Sequence, residues 1–120
     1  MSFFKKALGS NLDADTKERA LYWMAESFLA RGMKSEAYKK FGSVLENTNT
    51  TMDQPALLKK GIILFEQNRM KSAARIFQKA EEGYSENIYT ERAREWRKEA
   101  EAQIKDEVEI NSGADQEKER

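Results

Sequence analysis

The chain has 120 residues, of which 39% are hydrophobic and 35% charged, and its 21 basic and 21 acidic residues give a formal net charge of zero. This length suits a single domain with one modest core. The charge balance does not favour nucleic acid, which binds proteins with a basic excess, and it does not favour an anionic membrane surface. The chain has no cysteine and no histidine, which excludes disulfides, zinc-thiolate sites, thiol nucleophiles and histidine general bases.

The N-terminal segment MSFFKKALGS has two lysines but no apolar core of signal-peptide length. The longest strongly apolar run, GIILF at 61–65, is far too short to span a bilayer. We therefore expect a soluble, cytoplasmic protein without membrane insertion. If the chain is a domain excised from a longer protein, a periplasmic location is the alternative.

The first predicted helix covers residues 16–31, where apolar residues recur at three- and four-residue steps. Asp15 is a natural N-cap for this helix, and Gly32 is a typical helix stop. The same apolar spacing predicts a second helix at about 35–48, followed by a polar turn.

The second half of the chain predicts three more helices and no strand. The third helix, at about 54–67, contains Pro55 in its first turn and ends before Asn68, which tolerates the left-handed conformation. The fourth and fifth helices are predicted at about 70–83 and 88–106. Beyond them the chain is charged and loses its apolar periodicity, so we predict one helical domain at 1–106 and a disordered charged tail at 107–120.

The two halves of the chain repeat each other at an interval of 36 residues. Ala37 and Phe41 return at this interval as Ala73 and Phe77. A match of FKKA at 4–7 with FQKA at 77–80 adds an N-terminal half-repeat. Such periods indicate stacked helical hairpins. We therefore predict an all-α solenoid of about five helices: the half-repeat, two full repeats and a closing helix.

The stretches MKSEA at 33–37 and MKSAA at 70–74 are nearly identical, but they lie 37 residues apart rather than 36. Each falls at the turn inside a predicted hairpin, where turn chemistry and helix packing explain the serine and the alanine. We interpret the pair as part of the repeat and not as a duplicated catalytic site.

The repeated positions resemble the tetratricopeptide repeat, with large apolar, small and aromatic residues in a set order. The first unit reads Leu21, Met24, Ala25, Phe28, Ala37 and Phe41, and the second reads Leu57, Lys60, Gly61, Leu64, Ala73 and Phe77. Residues 16–104 are more specifically similar to the tetratricopeptide domain that closes the periplasmic Tol-Pal-associated cell-division coordinator proteins. This resemblance implies binding of an envelope-associated protein.

Close helix packing explains the small residues of the repeat. Two helix axes approach within about 8–10 Å only where side chains are small or interdigitate. We expect Ala25 to pack against Ala37 and Gly61 against Ala73. The phenylalanines then fill the space between units.

The family resemblance implies that the first helix of each unit lines a concave groove, with the closing helix at its far end. The predicted groove residues are Arg19, Tyr22, Glu26, Leu29, Leu58, Ile62, Phe65, Arg94 and Lys98. The alternative is that Leu58, Ile62 and Phe65 are covered by the chain's own last helix, including Trp96. Some members of the family bind a C-terminal carboxylate with lysine and asparagine, but the equivalent positions here include neither residue type.

These residues favour a non-enzymatic module that binds a partner peptide or helix in the groove. We expect no catalytic residue and no cofactor. We also expect no nucleic acid partner, because Glu91, Glu95 and Glu99 cancel the basic charge around Trp96. We expect no metal, since Asp13 and Asp15 are explained by helix capping.

Self-association is the second predicted function. Phe3 and Phe4 belong to a half-repeat whose partner helix is missing, so their apolar side needs cover. A second copy or another protein would supply that cover, which makes the chain a structural subunit that assembles through its repeat ends.

Overall fold

The computed structural model describes residues 14–46 and 51–119, with the backbone alone for 108–119. The described residues form five α-helices and no strand. The helices are α1 (Ala14–Ala30), α2 (Lys34–Val44), α3 (Asp53–Glu66), α4 (Met70–Glu82) and α5 (Ile88–Glu119). The predicted all-α fold, with two hairpins and a closing helix, is confirmed. The predicted half-repeat, with Phe3 and Phe4, lies outside the described residues. None of the described helices combines the length and apolar character that crossing a membrane requires.

α5 extends further than the apolar spacing predicts. The spacing ends at about residue 106, whereas the helix continues to Glu119. Apolar spacing marks only the part of a helix that packs against other elements, and residues 107–119 contain no proline that would end the helix. The division into a domain at 1–106 and a tail at 107–120 stays a prediction.

The same turn joins the two helices of each hairpin. Gly32 follows α1 with φ 76°, and Asn68 follows α3 with φ 61°. In both turns the next residue donates its N–H to the carbonyl five residues back, at 2.9 Å, which is the Schellman arrangement. Met33 still belongs to the turn that precedes α2, whereas Met70 is the first residue of α4. The two MKS stretches are therefore not structurally equivalent.

The core consists of two clusters: the first joins the α1–α2 hairpin to α3, and the second joins the α3–α4 hairpin to α5. Phe41 lies at the centre of the first cluster and Phe77 at the centre of the second, and both side chains are fully buried. Ala37 and Ala73 are also fully buried beside them. Burial of each phenylalanine contributes about 1.5–3 kcal/mol. The interval of 36 residues is thus an interval between equivalent core positions.

Gly61 makes room for an aromatic ring. The three atoms nearest to the position of a Cβ on Gly61 all belong to the Phe77 ring, at 2.5, 2.7 and 2.9 Å. The Phe77 ring therefore lies against the bare backbone of α3 at Gly61. The predicted packing of Gly61 against Ala73 stays a prediction. A ring is larger than a methyl group and takes the space that the missing side chain leaves.

A buried polar network fixes the start of α5. Gln54 Nε2 donates to the Ala80 carbonyl (2.9 Å) and to Thr90 Oγ1 (2.8 Å), and Gln54 Oε1 accepts from Asn87 Nδ2 (2.8 Å). Asn87 Oδ1 accepts from the amides of Tyr89 (2.7 Å) and Thr90 (3.0 Å), so Asn87 caps α5. The network joins α3, α4 and α5 and fixes the position of the last helix.

Glu81 of α4 holds the next two turns of α5. It accepts from Arg94 Nε at 3.2 Å and from Arg97 Nε at 2.6 Å, and its side chain is only 16% exposed. Hydrogen bonds from Arg97 lower the pKa of Glu81, and the same bonds raise the pKa of Arg97. This charged contact is better shielded from solvent than a surface ion pair, and it orients α5 about its own axis.

Gly61→Ala should destabilise the fold, whereas Gly42→Ala should stabilise it. A methyl group at Gly61 would meet the Phe77 ring at 2.5 Å, and overpacking of about 1–3 kcal/mol outweighs the helix-propensity gain of about 1 kcal/mol. At Gly42 the nearest atom is Lys60 Nζ at 3.8 Å, an ordinary contact, so the propensity gain remains. Thermal unfolding followed by circular dichroism measures both, and shifts of the same sign would contradict this account.

Glu81→Gln should lower the free energy of unfolding at neutral pH by about 1–2 kcal/mol. The pKa of Glu81 is lowered in the folded state, so its carboxylate stabilises the fold above an unfolded-state pKa of about 4.3. That stability is lost as the pH falls through the lower folded-state pKa. The variant should therefore lose less stability between neutral and acidic pH than the natural protein does in urea unfolding. Glu107→Gln, at an exposed glutamate in the interior of α5, is the control and should change neither quantity.

Candidate functional site

A cavity of about 530 Å³ opens where α1, α3 and α5 meet. We call it the α1/α3/α5 groove. Its lining residues are Tyr22, Trp23, Glu26, Pro55, Leu58, Lys59, Ile62, Tyr89, Arg92, Glu95 and Trp96. Four of them are aromatic, and two of each charge sign accompany them. A concave surface that combines aromatic and charged side chains is typical of a site that binds proteins.

Exposed aromatic side chains stand at the rim of this groove. Trp23 is 55% exposed and Tyr89 is 37% exposed. The Trp23 ring meets the Tyr22 ring edge to face, with centroids 5.2 Å apart. Large aromatic side chains are costly to leave in water and are enriched at protein interfaces. The rim thus presents apolar surface that a partner would cover.

The inner wall of the groove is held by the core. Tyr22 and Leu58 are buried among the two hairpin clusters. Trp96 of α5 meets Phe65 edge to face at 5.1 Å and stacks on Phe77 at 5.9 Å. Because Trp96 is fixed from two sides, the groove has this wall before any partner arrives.

A hydroxyl, a carboxylate and an ammonium group lie side by side in the groove. Lys59 Nζ is 3.2 Å from Glu26 Oε1, and Tyr22 lies one helical turn before Glu26 on α1. Burial raises the pKa of Tyr22 above its usual range, and the negative charge of Glu26 raises it further. Tyr22 therefore stays a neutral hydrogen-bond donor at physiological pH.

Arg92 and Glu95 add charge to the α5 side of the groove. Both are exposed on α5, and neither forms an ion pair with any other described residue. A guanidinium and a carboxylate that face the groove without protein partners can bind backbone or charged groups of a ligand.

Four of the predicted groove residues come together in this cavity: Tyr22, Glu26, Leu58 and Ile62. The structure also combines the two alternatives of the sequence analysis. Leu58 and Ile62 line the open groove, whereas Phe65 packs under Trp96 of the last helix. Their role in binding a partner stays a prediction.

The other predicted residues do not line the groove. Arg19 pairs with Asp15 at 3.1 Å, and Leu29 packs against the core cluster of the first hairpin. Arg94 faces α4 and pairs with Glu81. Lys98 is exposed on α5 outside the lining.

Several lining residues, chiefly on α5, are not among the predicted groove residues. Tyr89, Arg92 and Glu95 follow one another at three-residue steps, so the pattern itself places them on one side of a helix. The pattern does not show which side of α5 turns toward α1. Trp23 was missed because it lies next to Tyr22 in sequence but a quarter-turn away around α1, outside the apolar stripe.

The comparison with protein families identifies the repeats. Residues 19–47 and 55–86, together about half of the 120 residues, match the sequence profile described as Tetratricopeptide repeat. The chain belongs to the tetratricopeptide repeat family. The two matched segments coincide with the α1–α2 and α3–α4 hairpins, so each hairpin is one tetratricopeptide repeat. Comparisons with curated proteins and with solved structures returned no match.

Tetratricopeptide repeats generally mediate protein–protein interaction and are not typically enzymes. The site agrees with this role, since the groove is broad, aromatic and of mixed charge. In the part of the chain that the structure describes, no group of three or more acidic side chains is placed to hold a metal ion.

Tyr22→Phe should reduce the loss of stability at alkaline pH. Because the folded-state pKa of Tyr22 is raised, the neutral phenol stabilises the fold below the unfolded-state pKa of about 10. That stability is lost as the pH rises beyond this value, since the unfolded chain ionises first. The free energy of unfolding in urea, measured at neutral pH and near pH 11, should fall less in the variant. Equal losses would show that the phenol is not shielded as the structure describes.

Proposed function

We propose that the protein is a non-enzymatic adaptor that binds a partner protein, through a peptide or a helix, in the α1/α3/α5 groove. The observation that supports this function is the exposure of Trp23 and Tyr89 at the rim of a cavity with a preformed apolar wall. Aromatic side chains in such positions commonly supply most of the binding energy of an interface.

The groove has two parts that would act differently on a ligand. An apolar side chain of the ligand would enter between Leu58, Ile62 and Trp96 and be enclosed there. Arg92 and Glu95 would then bind polar groups on either side of it and orient the chain. The mixture of charges favours a ligand without a strong net charge of its own.

The ligand is more consistent with an internal segment than with a free C-terminus. A C-terminal carboxylate needs cationic or amide donors at its centre, yet Tyr22, Glu26, Leu58 and Ile62 occupy the equivalent positions. Glu26 would repel a carboxylate, although Lys59 partly neutralises it at 3.2 Å.

The cellular setting of the adaptor rests on the sequence alone. The similarity of residues 16–104 to the Tol-Pal-associated coordinator proteins suggests an envelope-associated partner. A cytoplasmic location, or a periplasmic one for a domain of a longer protein, stays a prediction. Assembly through repeat ends, with Phe3 and Phe4, is the alternative function and also stays a prediction.

Trp23→Ala combined with Tyr89→Ala should abolish partner capture without unfolding the protein. The natural protein, immobilised and incubated with an extract of its source cells, would identify the partner, whose affinity is then measured by calorimetry. Removal of two rim aromatics should weaken binding by about ten-fold or more. Neither side chain belongs to a core cluster, since Trp23 is 55% and Tyr89 37% exposed, so circular dichroism should remain unchanged.

Met33→Ala is the matched control for this experiment. Met33 is 39% exposed but does not line the groove, so its removal should leave binding intact. Equal binding by the rim variant and the control would refute the proposed site. Sedimentation of the natural protein alone tests the alternative: a strict monomer at high concentration removes self-association.

A further inference from the structure

A second concave surface lies on the other side of the molecule, between α2 and α4. Two adjoining cavities of about 310 and 250 Å³ share the residues Tyr38, Leu64 and Arg69. We call them together the α2/α4 cleft. Its floor is the face of α3 that carries Leu64, about half a turn around the helix from the face that lines the α1/α3/α5 groove. The two surfaces can therefore be occupied at the same time.

The walls of this cleft carry only positive charge. Lys39, Arg69, Arg75 and Lys79 line it, and no carboxylate is among the lining residues of either cavity. Within the described residues, Arg69, Arg75 and Lys79 form no ion pair, and Lys39 has only a long, exposed contact of 3.9 Å with Glu36. The chain as a whole has zero net charge, so this concentration of cations is local.

A half-buried lysine, Lys60, lies beside the cleft and adds to its positive charge. Lys60 Nζ lies 4.7 Å above the centre of the Tyr38 ring, in a cation–π contact. Burial lowers the pKa of Lys60, and the neighbouring positive charge of Lys79 lowers it further. An anion in the cleft would relieve this repulsion. By contrast, Arg94 and Arg97 on α5 are already neutralised by glutamates.

The apolar surface and the length of the cleft favour a peptide as its ligand. Tyr38 and Ile76 are only partly buried against the second core cluster, which leaves apolar surface between the cations. Arg69 immediately precedes α4 and Lys79 lies in its last turn, so the two cations are about 15 Å apart along the helix axis, at 1.5 Å of rise per residue. That distance fits four or five residues of extended chain, at about 3.3 Å each.

We propose that the α2/α4 cleft binds an acidic peptide segment of a second partner. Its carboxylates would pair with Arg69, Arg75 and Lys79, and an apolar side chain between them would rest on Tyr38 and Ile76. The apolar floor and the zero net charge of the chain favour a peptide over nucleic acid, which is held mainly by a long-range positive field. An adaptor with both surfaces would join two proteins.

Fluorescence anisotropy with a synthetic probe tests the cleft. The probe is a short fluorescein-labelled peptide of glutamates around one central leucine, and its matched control has glutamine in place of every glutamate. The glutamate probe should bind the natural protein at low salt and weaken as salt is added, whereas the glutamine probe should not bind. Arg75→Glu combined with Lys79→Glu should weaken binding by about ten-fold or more.

Two protein variants test whether probe binding depends on the α2/α4 cleft rather than on the overall charge of the protein or on the α1/α3/α5 groove. Lys98→Glu makes the same kind of charge change on α5, outside the cleft, and should leave binding within about two-fold of the natural protein. Trp23→Ala tests the groove and should also leave probe binding intact. Arg75→Gln with Lys79→Gln serves as a milder variant if the charge reversal lowers the helical content.

Three results would overturn the proposal. The first is no binding of the glutamate probe at low salt, and the second is an equal loss of binding in Lys98→Glu. The third is tighter binding of a single-stranded oligouridylate than of the glutamate probe, which would reassign the cleft to nucleic acid. None of these results bears on Trp23 and the α1/α3/α5 groove, so the two proposals stand or fall separately.

Discussion

The contact between the Phe77 ring and the backbone of Gly61 sets how closely α3 and α4 approach, and much of the structure depends on it. The ring also stacks on Trp96, which meets Phe65 edge to face. One aromatic column thus joins three helices. Trp96, which contacts both other rings, also forms part of the groove wall. The packing that stabilises the second repeat therefore also preforms the candidate binding site. A looser contact at Gly61 would move that wall.

Polar contacts fix the orientation of α5, which apolar packing alone leaves open. The apolar side of a closing helix restricts its position but tolerates rotation about its axis, whereas hydrogen bonds have fixed directions. Gln54 fixes the start of α5 through Thr90 and Asn87, and Glu81 fixes the next turns through two arginines. These contacts turn Arg94 toward α4 and leave Tyr89, Arg92 and Glu95 facing the groove. Charge is consequently divided between the two sides of the molecule: the groove has both signs, and the α2/α4 cleft has only positive charge. Such a division suits an adaptor with two different ligands.

Much of the fold could be predicted from the sequence because it depends on local rules. Gly32 and Asn68 end their helices in the left-handed conformation, as their residue types favour. Phe41 and Phe77 recur at the interval of the repeat because equivalent hairpins bury equivalent positions. Tyr22, Glu26, Leu58 and Ile62 were found in the groove because they lie on the first helix of each repeat. The contact of the Phe77 ring with Gly61 was not predicted, because spacing indicates that a position must be small without indicating every neighbour that uses the space.

The sequence by itself determined the helices, the ends of α1 and α3, the repeat and the class of function, since each follows from neighbours within a few residues or from an interval along the chain. Only the tertiary structure decided which residues of α5 join the groove, that Phe65 is covered by Trp96, and that cations from α2, α3 and α4 meet without an acid between them. The physical reason is that these relations depend on the rotation and approach of helices far apart in the chain. That geometry is set by the combined packing of Phe77, Gln54 and Glu81 and not by any local pattern.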